Sequence, residues 1–212
     1  MVVIGCFLVG YLVGSVPISV LVSRAVRGVD IRHYGTGNIG ASNTWRNLGF
    51  PPAVVVGVGT FLQGFLPAWA AGLVTGQASC AVAAGMGAVV GYGWSLLLRL
   101  RGGSAVGTAT GALVAIWPMG LIPLLTLYAV GAVLRQPAPG VLAGLLAFLV
   151  YMTLSAQPMF LLLGCAAIVL AVILKRFDGV QEDIRGDHAA GALIGRLLFD
   201  RRPGRQLVGP IE

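Results

Sequence analysis

Residues 47–98 read NLGFPPAVVVGVGTFLQGFLPAWAAGLVTGQASCAVAAGMGAVVGYGWSLLL, and no Asp, Glu, Lys or Arg interrupts them. A bilayer core is crossed by about 20 apolar helical residues. The stretch therefore holds two spans, Pro51 to about Val74 and Ala78 to about Leu98, joined by the uncharged turn Thr75-Gly76-Gln77. The same silence recurs between Arg101 and Arg135 and between Arg135 and Lys175. A soluble domain carries about 25% charged residues. Here charge is 10%, hydrophobic residues are 57% and mean hydropathy is +0.90, which excludes such a domain.

The rest of the chain divides by the same logic. A first span covers about Met1 to Ser23, with Gly14-Ser15-Val16-Pro17 inside it. It has no basic residue ahead of its apolar run, so it is expected to be a retained span rather than a secretory leader. The segment Ser104–Leu134 is broken at Trp117-Pro118, because a proline removes a helix hydrogen bond, giving two short spans. Arg135 to Gly140 is a turn, and further spans cover about Val141–Ser155 and Pro158–Leu174. The expected fold is all-α: a polytopic integral membrane protein of about seven transmembrane helices. It forms one membrane-embedded domain over residues 1–212, with a polar, basic tail from about Lys175.

The net charge of +7 would point to nucleic acid in a soluble protein. Here the basic residues sit at span ends, as the positive-inside rule requires, and no nucleic-acid partner is expected. Seven spans put Arg24 to Arg46, Arg99 and Arg101, Arg135 and the tail on the cytoplasmic side and the N-terminus outside. Six spans would turn Arg135 and the tail outward, against that rule. Cys6, Cys80 and Cys165 lie in apolar stretches without metal-ligand spacing, so no metal site and no cofactor is expected.

Two polar loops carry the chemistry. The first runs Asp30-Ile-Arg-His-Tyr-Gly35-Thr-Gly-Asn-Ile-Gly40-Ala-Ser-Asn-Thr-Trp-Arg46. Gly35, Gly37 and Gly40 match G-x-G-x-x-G, but no strand precedes them and no acidic residue follows about 20 positions on, so a dinucleotide fold is excluded. What survives is the physics of the motif. Glycines let backbone N–H groups approach an anion closely. Thr36, Asn38, Ser42, Asn43 and Thr44 add side-chain donors, and Arg32 and Arg46 add charge. A helix opening at Ser42 or Asn43 would point its N-terminus at the same anion. The second loop, Arg99-Leu-Arg101-Gly102-Gly103-Ser104, repeats the pattern before an apolar helix. Both loops fall on the same membrane face and indicate a phosphate-bearing ligand.

Gly14-Ser-Val-Pro17, Asp30-Ile-Arg32, Gly35-Thr-Gly-Asn-Ile-Gly-Ala-Ser-Asn43, Arg46 and Gly49 together resemble the acyl-phosphate-dependent glycerol-3-phosphate acyltransferases, the PlsY family. The resemblance implies a seven-span membrane enzyme that moves a fatty acyl group from acyl phosphate to the first hydroxyl of glycerol 3-phosphate. The product is lysophosphatidic acid for phospholipid synthesis, and the setting is a bacterial plasma membrane. The family's second motif, Gly-His-x-Trp-Pro followed by Lys-Gly-Gly-Lys-Gly-Val-Ala-Thr, stands here as Gly91-Tyr92-Gly93-Trp94-Ser95 and Arg101-Gly-Gly-Ser104-Ala-Val-Gly-Thr108. The third, His-Arg-x-Asn-Ile-x-Arg-Leu, corresponds to Ala190-Gly-Ala-Leu193-Ile-Gly-Arg196-Leu197, with His188 two residues earlier. A family serine on a late span matches Thr153.

On this resemblance Thr36, Arg46, Ser104 and Thr153 are the expected catalytic residues. Gly35, Gly37, Asn38, Gly40, Ser42, Asn43, Arg101, Gly102, Gly103 and His188 are the expected substrate-binding residues. The expected partners are fatty acyl phosphate, glycerol 3-phosphate and the lipid bilayer. Ser104, Ala190 and Leu193 keep two other readings open: an acyltransferase with a different hydroxyl acceptor, and a non-catalytic membrane protein that binds lipid or acyl phosphate. Acyl-chain preference and oligomeric state are not encoded in these motifs.

Overall fold

Helix α1 (Val2–Gly14) stops where Pro17 arrives, and α2 (Ile18–Arg27) starts directly after it. The computed structural model describes residues 1–134 and 136–177. A proline at 17 has no N–H to offer the carbonyl of Val13 one turn back. That carbonyl instead accepts from Gln63 Nε2 at 2.9 Å, and the same amide nitrogen reaches Val16 O at 2.8 Å. The first span expected over Met1–Ser23 is thus two helices rather than one. The break is stable because a side chain supplies the donor that lipid cannot.

After the first polar loop come α3 (Ala41–Leu48) and α4 (Phe50–Thr75). Helix α3 keeps Asn43, Thr44 and Asn47 buried and leaves Trp45 exposed, where its ring meets Phe50 edge-on at 5.9 Å. Polar atoms inward and an aromatic outward suit a helix lying at a membrane interface. Helix α4 turns at Gly76, which is left-handed, into α5 (Ala78–Gly93). A single 3₁₀ turn, Leu96–Leu98, precedes the second polar loop, and α6 (Val106–Ile116) follows it.

These elements make one compact unit, Met1–Ile116. Its centre is packed backbone to backbone. Side chains added at Gly10 and Gly14 of α1 would strike the carbonyls of Ala84 and Ala88 on α5, and ones at Gly87 and Gly91 would strike Phe7 and Tyr11 in return. Gly64 of α4 and Gly111 of α6 meet the facing helix in the same way. Small residues that let helices approach closely are how membrane bundles gain contact without a hydrophobic driving force. Serines complete the joint: Ser95 Oγ donates to Ser15 O at 2.6 Å, and Tyr11 Oη donates to Trp94 O at 2.9 Å.

A second unit begins at Trp117. A 3₁₀ turn, Pro118–Gly120, leads into α7 (Leu121–Val133), which pairs with α8 (Pro137–Leu154). Gly131 and Gly140 face each other across that pair. The prolines at 137 and 139 fall in the first turn of α8, where a missing N–H costs nothing, so the helix starts four residues before the expected Val141. Helix α9 (Met159–Phe177) closes the described chain, and Arg176 donates to Ala138 O at 3.5 Å.

The molecule is all-helical in its described elements, as expected. Val2–Arg27, Phe50–Thr75, Ala78–Leu98, Pro137–Leu154 and Met159–Phe177 are long and apolar enough to cross a membrane. The two pieces on either side of Trp117 are shorter, Val106–Ile116 and Pro118–Val133. At 1.5 Å per residue α6 measures about 16 Å, roughly half of a bilayer core.

Candidate functional site

The first polar loop begins by folding back on α2. Gly28 caps the helix in the left-handed region, and Ser23 Oγ, which lies 2.9 Å from Val29 O, accepts the N–H of Ile31 at 3.3 Å. Asp30 then caps a 3₁₀ turn over Ile31–His33. Its carboxylate accepts two bonds from the Arg32 guanidinium, at 2.9 and 2.7 Å, and one from Arg24 at 3.2 Å. The hydrogen bond from Arg32 is the main reason its pKa falls to about 2. Asp30 is the only acidic residue before Asp178. With its charge matched by two arginines it presents little repulsion to an incoming anion.

Gly35 follows at φ +58°, and a side chain there would collide with the amides of Asn43 and Asn47. Those two residues stand one turn apart on the inner face of α3 and act as the loop's internal template. Asn43 Oδ1 accepts from the N–H of Thr36 at 2.9 Å, and its Nδ2 donates to Tyr34 O at 3.0 Å. Asn47 Nδ2 donates to Asn43 O at 2.8 Å and to Asn43 Oδ1 at 3.1 Å. The helix opens one residue before the expected Ser42 or Asn43, with extended Gly40 as its N-cap. Asn43 therefore lies inside the first turn, pointing at the loop rather than capping. Ser42 and Arg46, also one turn apart, share the outer face and are exposed.

The second loop is tightly wound. Arg99 and Leu100 sit at φ +53° and +64°, a left-handed conformation that costs non-glycine residues energy. The turn is held by Ser95 O, which accepts the N–H groups of Leu98 and Leu100. Gly102 and Gly103 then run back along the end of α5, donating to Gly93 O at 3.1 Å and Tyr92 O at 3.3 Å. They come so close that a side chain at Gly102 would hit the Tyr92 and Gly93 carbonyls.

The two loops meet. Asn38 Nδ2 donates to Ser104 Oγ at 3.3 Å, and Ser104 N donates to Asn38 Oδ1 at 3.3 Å. Beneath this pair, Tyr92 Oη donates to Ile39 O at 2.6 Å. Both glycine segments thus lead into helix N-termini, those of α3 and α6, from a common seam. Helix N-termini carry partial positive charge and unpaired N–H groups. The Thr108 hydroxyl, in the first turn of α6, is buried without a hydrogen-bond partner. Arg46 and Arg101 stand exposed on the flanks. Chemically this arrangement can hold a phosphate and steady negative charge that builds up during a transfer.

Of the expected residues, Gly35, Thr36, Gly37, Asn38, Gly40, Ser42, Asn43, Arg46, Arg101, Gly102, Gly103 and Ser104 all lie in the Met1–Ile116 unit. Asn38 and Asn43 are buried and use their amides on the protein itself. Thr153 belongs to the second unit, where it is exposed and its hydroxyl donates to Leu149 O at 2.9 Å. His188 lies outside the described residues. Sequence reasoning passed over Asn47 and Gln63. The i, i+4 spacing of Asn43 and Asn47 was a readable signal, as was a lone amide in an otherwise apolar span.

A profile of the glycerol-3-phosphate acyltransferases matches residues 4–184. A glycerol-3-phosphate acyltransferase of Desulforudis audaxviator is 41% identical over 111 residues, 52% of this chain and 56% of that protein. One of Desulforamulus reducens is 28% identical over 187 residues, 88% of this chain and 92% of the relative. The crystal structure of PlsY (YgiH), an integral membrane glycerol 3-phosphate acyltransferase, superposes with a TM-score of 0.76 at 24% identity. That match covers 87% of this chain and 92% of the other, and it speaks to the fold. With its apolar spans, its paired glycine loops and this profile match over most of its length, the chain belongs to the glycerol-3-phosphate acyltransferase family.

Proposed function

We propose that this protein transfers a fatty acyl group from acyl phosphate to the first hydroxyl of glycerol 3-phosphate, giving lysophosphatidic acid and inorganic phosphate. The observation that carries the reading is the seam at Asn38 and Ser104, which sets two glycine loops and two helix N-termini side by side. Family membership supplies the reaction class. Glycerol 3-phosphate and lysophosphatidic acid are the molecules named for the two forms of the PlsY crystal structure.

An acyl phosphate is a mixed anhydride and already activated, so the protein's work is positioning and charge stabilisation. The backbone of Gly35–Gly40, with Thr36 and Ser42, holds the phosphoryl group. Arg46, Arg101 and Ser104 place the acceptor. The acceptor oxygen attacks the acyl carbon, the carbon–oxygen bond to phosphate breaks, and the departing phosphate takes the hydroxyl proton. The acyl tail lies against the apolar helix surface. The reaction belongs to one membrane-embedded domain, with the loops and the C-terminal tail on the cytoplasmic face.

Ser104 favours a second reading. A serine where the family carries lysine removes one cation from the acceptor's surroundings, so a hydroxyl acceptor without a phosphate monoester would lose less here. Purified protein in detergent, given palmitoyl phosphate and glycerol 3-phosphate, should release phosphate and form lysophosphatidic acid in equal amounts. Thr36→Ala and Arg46→Ala should each lower turnover by about tenfold or more, the loss of a charged hydrogen bond being about 1.5–3 kcal/mol. Gly37→Leu provides the inactive control. Phosphate release with glycerol but none with glycerol 3-phosphate would select the second reading. Binding of acyl phosphate with no turnover on any hydroxyl would leave a non-catalytic protein.

A further inference from the structure

Tyr92 has no part in the chemistry above, yet it touches both loops. It lies near the end of α5, only 4% exposed, at a position where the resembled family carries histidine. Its hydroxyl donates to Ile39 O at 2.6 Å, in the middle of the first glycine loop. Its own carbonyl accepts the N–H of Gly103 at 3.3 Å, in the second. Its ring edge sits where a side chain on Gly103 would have to go, 2.8 Å from such an atom, and Ile39 closes the same space from the other side at 2.8 Å. The bond to Ile39 is shorter than either bond of the Asn38–Ser104 pair and, unlike them, is fully buried.

We infer that Tyr92 is a positioning residue: it braces the two glycine loops into one body and so sets the spacing of the groups that grip phosphate. The inference rests on the acyl-phosphate reading for its kinetic effect and on geometry alone for its mechanical one. Ile39 is followed by Gly40, the N-cap of α3, so a shift of the Ile39 carbonyl moves the start of that helix. Gly103 is followed by Ser104 and then by α6, so the other end of the brace moves the second helix start. Without the hydroxyl, the side-chain link between the loops is the partly exposed Asn38–Ser104 pair.

The test compares Tyr92→Phe and Tyr92→His with the wild type. Phenylalanine keeps the ring against Gly103 and removes only the donor. Histidine restores a ring N–H, on a side chain shorter than that of tyrosine. Tyr92→Phe should raise KM for palmitoyl phosphate about tenfold, the usual scale for a lost buried hydrogen bond, and leave kcat within about threefold. Tyr92→His should recover part of the KM. A general loss of packing would lower kcat as well and would not be recovered by histidine. Amide hydrogen exchange gives a second readout that needs no turnover. In Tyr92→Phe, exchange should quicken together in 35–40 and 102–105 and stay unchanged in 50–75. Wild-type KM and wild-type exchange in Tyr92→Phe would overturn the brace. An inactive wild type whose two loops still loosen together in Tyr92→Phe would sink the acyltransferase reading and keep the brace.

Discussion

Asp30 shows how much of this site is spent on holding itself together. Its carboxylate takes Arg32 in a two-point grip, Arg24 beside it, and the N–H of Arg32 at 3.1 Å. The folded carboxyl ionises at about 2, whereas a free aspartate ionises near 4. The stability this adds is therefore complete above about pH 4 and is lost as pH falls toward 2. Asp30→Asn should lower the melting temperature at pH 7 and lose about half of that difference by pH 3. A deficit of equal size at both pH values would mean the carboxylate's charge is not what matters. The asparagines teach a related lesson. Residue type alone marks Asn38, Ser42 and Asn43 equally as donors to a ligand. The fold separates them: Asn38 and Asn43 are buried and bonded within the loops, and Ser42 faces outward. That separation depends on partners such as Tyr34 and Ser104, which spacing along the chain cannot supply.

At the level of elements, local rules were good guides where one residue decides the outcome. Gly76 ends α4 and Pro118 divides the apolar run after Ser104, and both were readable. Pro17 was visible too, but a proline in a membrane helix can kink it or break it. The outcome here depends on Gln63, far along the chain, whose amide replaces the missing donor for Val13 and adds one for Val16. Gln63→Leu fills similar space without donors. It should destabilise the protein by about 1–2 kcal/mol, two hydrogen bonds lost from carbonyls that keep only the N–H groups of Val16 at 3.3 Å and Ile18 at 3.0 Å, and lower the melting temperature in detergent by several degrees. An unchanged melting temperature would show that the break at Pro17 satisfies itself. The start of α8 differs for a simpler reason: the stretch read as a turn, Arg135 to Gly140, contains two prolines that the first turn of the helix accommodates.

For the whole molecule, the apolar runs made the multi-pass helical class legible, because the bilayer leaves few alternatives. The assignment of Thr153 to the site rests on a match of residue type alone. Within the second unit Arg176 contacts Ala138 at the start of α8, while Thr153 is at the far end, about 22 Å along the axis. In the proposed orientation the positive-inside rule sets Arg176 on the cytoplasmic face and Thr153 at the opposite end of α8. Thr153→Ala should retain turnover within about twofold of wild type, well short of the tenfold step that one lost hydrogen bond would give. Cysteines introduced at Ser155 and at Ser42 should react with a membrane-impermeant thiol reagent from opposite sides of sealed vesicles. Labelling of both from one side would overturn the proposed orientation.

The joint between α1 and α5 has a consequence for how such a protein can change over time. A core made of side chains adapts to a substitution by rotating its neighbours into the space. Where Gly10 and Gly14 lie against Ala84 and Ala88, main chain rests on main chain, and there is nothing to rotate. Small apolar residues that touch no substrate are thereby as fixed as the glycines of the loops they carry, and room for a lineage to vary is left on the outward faces of the same helices.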